Sequence, residues 1–104
     1  LDVEAMTFDA LLTAGHEADD PHEREHVTPF LYGHPDRFKL GSYTGAVDQS
    51  ALRLTVDYSE DLDVVTQIYD ALYPINAAFT TEDVVIYLDA NPGIRALNSA
   101  HVIP

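Results

Sequence analysis

His22 and His26 stand four residues apart with Glu23 directly after the first, so residues 22–26, His-Glu-Arg-Glu-His, satisfy the pattern H-E-x-x-H. On a helix that spacing brings two imidazoles one turn apart, where both can ligate zinc while the glutamate activates a water. The flanking residues argue against a zinc hydrolase. Such an enzyme holds the pair inside a long helix, whereas here Pro21 immediately precedes His22 and Pro29 follows three residues after His26. Pro29 removes a backbone hydrogen bond and crowds the preceding turn. The third ligand is missing from its two customary places. The extended pattern needs Gly and His at positions now held by Pro29 and Tyr32, and the next glutamate after Glu25 is Glu60. The pattern reads instead as a charged, solvated helix start. His16, His34 and His101 are isolated and read as surface or capping histidines.

The elements that position these residues follow from local pattern. Asp2–Met6 predicts a short strand, and Thr7 caps a helix from Phe8 to about Ala18 with Phe8, Leu11, Leu12 and Gly15 on one face. Asp20 as N-cap, Pro21 at the first helical position and Glu23 as the capping-box partner open a second helix. Pro29 forces a kink or a restart at Thr28-Pro29. Phe38–Tyr43 predicts a weakly alternating strand. Leu52, Leu54 and Val56 alternate cleanly with Arg53, Thr55 and Asp57, which predicts another. Ser59-Glu60-Asp61 opens an amphipathic helix with Leu62, Val65, Ile68, Tyr69 and Leu72 on its apolar face, and Pro74 stops it. Thr80-Thr81-Glu82-Asp83 opens another, and Asn91-Pro92-Gly93 separates it from a last short helix holding Ile94, Leu97 and Asn98.

With 104 residues, 46% of them hydrophobic, the chain suits one domain with its own core. The absence of cysteine excludes disulfides, thiolate metal sites and cysteine nucleophiles. No apolar run approaches the ~20 residues of a membrane span, and no secretory signal is visible, so a cytoplasmic location is expected. Eighteen Asp and Glu against five Lys and Arg give a net charge of −13, which disfavours nucleic acid and anionic membranes as partners. Twelve of the acids are Asp and Lys39 is the single lysine. That balance suits a salt-loving archaeon, because molar salt shortens the Debye length to about 3 Å and silences self-repulsion. The first residue is Leu rather than Met, as expected of a chain processed or cut from a longer one.

Two segments, Glu23–Phe38 (EREHVTPFLYGHPDRF) and Leu52–Val65 (LRLTVDYSEDLDVV), resemble the C-terminal part of the cytidylyltransferase family. The branch most like them is the spore coat polysaccharide biosynthesis protein F group, with the acylneuraminate and 3-deoxy-manno-octulosonate cytidylyltransferases more distant. Residues 1–11, LDVEAMTFDAL, resemble the family's D-V-E segment before a helix. In such a family Arg24–Pro29 is the recurring unit, and His22 only happens to precede it. The resemblance implies an α+β fragment of few short strands and four or five helices. It would be a single C-terminal piece, residues 1–104, of an α/β nucleotide-diphospho-sugar transferase-like (GT-A type) fold. It implies a parent that joins CTP to a sugar acid, releases pyrophosphate and uses Mg2+. The family's N-terminal nucleotide-binding pattern is absent, so the fragment alone is expected to be inactive and to hold no cofactor. Val56–Leu62 (VDYSEDL) is similar to the octulosonate branch's V-D-T-P-E-D-L, whose aspartate helps hold magnesium, and this makes Asp57 the candidate metal ligand. Asp57 and Glu60 also satisfy a capping box, a role compatible with the first. Glu4, Arg24 and His26 are the further candidates for substrate binding. Arg24 suits a carboxylate or a phosphate, against an ion pair with Asp20 or Glu25, and His26 equally suits a half-buried hydrogen bonder. The alternative function is a non-catalytic dimerisation or partner-binding module, with a homodimer as the natural product of an uncovered edge.

Overall fold

All three segments whose patterns predict strands are irregular and unpaired in the computed structural model, which describes residues 2–103. The described residues contain helices and no β-strand, which corrects the α+β expectation and with it the sheet of the transferase-like fold. The physical reason is that alternation specifies a strand only when a neighbour takes up its backbone donors and acceptors. Residues 2–6 are exposed throughout; in the 38–43 segment Phe38 packs partly buried against the core, while residues 39–43 are exposed, Tyr43 fully so. Residues 52–54 are held by side chains instead. Leu52 and Leu54 pack into an apolar cluster, and the Arg53 carbonyl accepts a hydrogen bond from Asn98 Nδ2 at 3.1 Å.

The chain gathers into two units, residues 2–45 and the residues from Ala46 onward. In the first, α1 (Phe8–Glu17) begins at Thr7, whose Oγ1 accepts from the Ala10 amide at 3.1 Å. The face that packs is not the expected one. Ala14 and Ala18 are buried with Ala10 beside them, whereas Phe8, Leu11 and Leu12 are 72%, 40% and 46% exposed. The small residues let α1 approach Phe30 and Leu31 closely, and the larger side chains are left without a cover. Then α2 (Pro21–His26) starts where the pattern places it, with Asp20 Oδ1 accepting from the His22 and Glu23 amides at 2.9 and 3.4 Å.

The interruption before Pro29 is a restart. Val27 has φ 69° and ψ −61°, and the Thr28 amide donates to the His26 carbonyl at 2.8 Å. This is a γ-turn of the rare, strained hand, centred on a β-branched residue. Thr28 follows in helical conformation directly before proline, where that conformation is disfavoured. After it, α3 (Pro29–Tyr32) carries Phe30 and Leu31 into the core. Arg37 closes the unit by a two-pronged ion pair with Glu17, at 3.0 and 2.8 Å, while its guanidinium lies 5.7 and 5.6 Å from the rings of Phe30 and Phe38.

In the second unit, α4 (Ser59–Leu72) and α5 (Thr81–Ala90) form the core with Val64, Ile68, Val84 and Leu88. Thr80 and Asp83 build a reciprocal cap on α5, Oγ1 accepting from the Asp83 amide at 3.2 Å and Asp83 Oδ2 from the Thr80 amide at 2.9 Å. Pro92 opens α6 (Pro92–Arg95), and a 3-10 helix, Ala96–His101, follows. The buried face of α4 is turned from the expected one. Asp61, Val64 and Ile68 are inside, whereas Leu62 and Tyr69 are more than half exposed.

Candidate functional site

A charged residue causes that rotation of α4. Asp61 is fully buried, and its carboxylate accepts five hydrogen bonds. Arg53 Nε reaches Oδ1 at 2.8 Å and Arg53 Nη2 reaches Oδ2 at 3.0 Å, the parallel fork that suits guanidinium and carboxylate. Asn98 Nδ2 donates to Oδ1 at 2.8 Å, and the amides of Asp57 and Tyr58 donate to Oδ2, each at 3.0 Å. The last two cap α4, so Asp61 fills the capping role that the spacing assigns to Glu60. The Arg53 hydrogen bonds hold the Asp61 carboxyl well below its ordinary value, with the Asp57 amide, Asn98 and the Tyr58 amide adding to the effect against burial. The same contact raises Arg53 above its ordinary value.

Arg53 has further partners. Its Nη2 donates to Asp57 Oδ2 at 2.7 Å, its Nη1 donates to the His101 carbonyl at 3.3 Å, and its guanidinium lies 5.5 Å from the Tyr58 ring centre. The His101 ring stacks on Tyr58 with centres 4.0 Å apart and planes 12° from parallel, and its Nε2 lies 3.5 Å from Glu60 Oε2. One guanidinium thus ties the 52–58 segment, the start of α4 and the final 3-10 helix together. The Arg53 side chain is 12% exposed and that of Asp57 67% exposed. Arg53 against Asp57 and Asp61 leaves one net negative charge in that trio, and Asp57 is its exposed acid.

The other candidates lie in the first unit. Glu4 lines a cleft of about 560 Å³ in the first unit, together with Thr28, Tyr32, Arg37 and Lys39. Arg24 and His26 do not line that cleft. The Arg24 guanidinium donates to the Gly15 carbonyl at 2.7 Å, which fastens α2 to α1; neither the Asp20 nor the Glu25 ion pair forms. His26 is exposed, with Nε2 3.8 Å from Glu25. Sequence reasoning passed over Arg53, Asp61 and Asn98. No local signal marked Arg53, because its alternation with Leu52 and Leu54 places it on the solvent face.

The donor set at Asp57 sets what magnesium could find there. Asp57 supplies one exposed carboxylate, already braced on one oxygen by a guanidinium. Among the described residues no three acidic or imidazole groups come together. Magnesium often takes only one or two protein carboxylates beside phosphate oxygens, so Asp57 suits one ligand of a site completed by other groups. It does not form a site alone.

Over 101 residues the chain is 33% identical to the uncharacterized protein MJ1063 of Methanocaldococcus jannaschii. The match covers 95% of this chain and 41% of that protein, so the chain spans well under half the length of this relative. No family model matches the chain. No solved structure gives a significant match. Among the described residues no helix is long and apolar enough to cross a membrane.

Proposed function

We propose that this chain is one part of a cytoplasmic sugar cytidylyltransferase-like protein of surface polysaccharide biosynthesis, and that it does not catalyse the reaction alone. The reaction of the whole protein joins CTP to a sugar acid and releases pyrophosphate. The observation that carries this reading is the way Asp57 is held. Its amide is clamped by the buried Asp61 and one carboxylate oxygen is braced by Arg53, yet the side chain is open to solvent. An acid fixed this firmly at the start of a helix is preorganised, as a ligand in a phosphate-transfer site must be. Asp57 lies in the segment Val56–Leu62 that carries the resemblance. Bound magnesium would neutralise phosphate charge and orient the reacting group; Asp57 would contribute one carboxylate to holding it. Glu4, which lines the cleft of the first unit, is a further candidate for substrate contact.

The test is to express the longest polypeptide containing these residues and follow pyrophosphate release with CTP, Mg2+ and a panel of sugar acids. Release that is lost in Asp57→Ala, with the circular dichroism unchanged, supports the reading. A polypeptide that binds no CTP and releases no pyrophosphate with any sugar acid sinks it. A second reading, a non-catalytic dimerisation or partner-binding module, draws on the uncovered Phe8, Leu11 and Leu12 of α1. It predicts a stable dimer by sedimentation and no response to magnesium.

A further inference from the structure

The His22–His26 pair has no part in this reading. The fold places both residues on α2, and the structure brings their imidazoles together: ring centres 4.5 Å apart, planes inclined by 53°, both side chains exposed. Two imidazoles coordinating one metal in-plane at about 2.0–2.1 Å per nitrogen have ring centres roughly 4.5 Å apart at a right angle and roughly 5.2 Å apart at a tetrahedral one. The observed 4.5 Å separation stands at the short end of that range, so side-chain rotation alone can bring both rings to one ion.

The surroundings favour a cation. Residues 19–26 hold Asp19, Asp20, Glu23 and Glu25 against one arginine, and Arg24 lies on the far side of the helix with its guanidinium bonded to the Gly15 carbonyl. No cation of α2 is left facing the two rings. Glu25 lies 3.8 Å from His26 Nε2, close enough to orient the ring or to take a coordinated water.

We propose that His22 and His26 form a two-point surface site for a late first-row divalent cation, with zinc, nickel or copper as its class. Water fills the remaining positions, because no third protein group joins the pair among the described residues. Imidazole selects these metals over magnesium and calcium, which prefer oxygen. The site clips the first turn of α2 to its last, directly before the strained turn at Val27. It carries no hydrolytic chemistry, and it stands independently of the transferase reading.

Isothermal titration of the purified chain with ZnCl2, in a buffer that does not chelate, tests it. The expected result is one saturable site per chain. His22→Ala and His26→Ala should each weaken it on the order of tenfold or more, since either change leaves a single-point contact. His34→Ala and His101→Ala should leave it unchanged. Both α2 histidines are exposed, so their replacement should keep the fold, which far-ultraviolet circular dichroism checks. In proton–nitrogen spectra zinc should move the His22 and His26 ring signals before any other histidine. Absence of saturable binding overturns the proposal. So does binding of several ions that persists in both variants, since that would be the acidic surface acting as a diffuse cation sink.

Discussion

Asp61 and Val27 are the two residues where the local rules are broken, in opposite senses. A buried carboxylate is costly unless every oxygen is served, and Asp61 accepts five hydrogen bonds from Arg53, Asn98 and two amides. Asp61→Ala should lower the melting temperature by ~10 °C or more, because it strands Arg53 and uncaps α4; a loss of only a degree or two would mean that water replaces the carboxylate at little cost. The pH dependence has a definite sign. Asp61 is depressed below 3.8 in the folded chain, so its stabilisation is full above the unfolded value and is lost as pH falls through it toward the folded value. Urea unfolding followed from about pH 6 to about pH 2 should show the midpoint dropping once the pH is below about 4. Asp61→Asn should flatten that drop. An unchanged slope would assign the acid sensitivity to Glu17, Asp48 and Glu60, whose carboxyls are also lowered. Val27 runs the other way. Its turn stores strain that glycine would release, so Val27→Gly should stabilise by about 1 kcal/mol after the entropy cost of the new glycine, visible as a higher urea midpoint.

At the scale of elements, helix starts were legible and helix faces were not. Asp20-Pro21, Thr7 and Thr80 cap where local chemistry puts them, because a cap involves residues two or three apart. Replacing both Thr80 and Asp83 by alanine should cost α5 about 1–2 kcal/mol. It should also cost less than the sum of the single changes, since each partner serves the same reciprocal box; strict additivity in a double-mutant cycle would show two independent caps. The faces of α1 and α4 depend on what lies opposite. Counting apolar residues favours Phe8, Leu11 and Leu12 on α1 and Leu62 and Tyr69 on α4. The packed faces are Ala10-Ala14-Ala18 and Asp61-Val64-Ile68. In α4 a salt bridge outweighs the hydrophobic pattern, and periodicity has no term for it.

For the whole molecule, charge is the dominant property. The net charge of −13 comes with few compensating cations: Arg37, Arg53 and Arg95 are paired to carboxylates and Arg24 to a carbonyl. Self-repulsion is then a general load on the fold, lightened by salt. Raising KCl from roughly 0.1 M to roughly 2 M should increase the melting temperature on the order of 5–10 °C. A flat or falling response would remove the salt-adapted reading of the composition. The same screening should expose any tendency of the uncovered α1 face to self-associate, so sedimentation belongs at both salt concentrations.

The sequence by itself determined the helix starts, the break at Pro29, the absence of cysteine chemistry and the acidic character, since each rests on one residue type or on neighbours within a turn. Asp57, Glu4, Arg24 and His26 could be named from it, but not the groups they meet. Tertiary structure alone decided that the alternating segments stay unpaired, that Asp61 is buried against Arg53 and Asn98, and that Arg53 reaches Asn98 and His101 more than forty residues away. Strand pairing, burial of an ion pair and choice of helix face are all settled by partners distant in the chain, and no local pattern records which partner arrives.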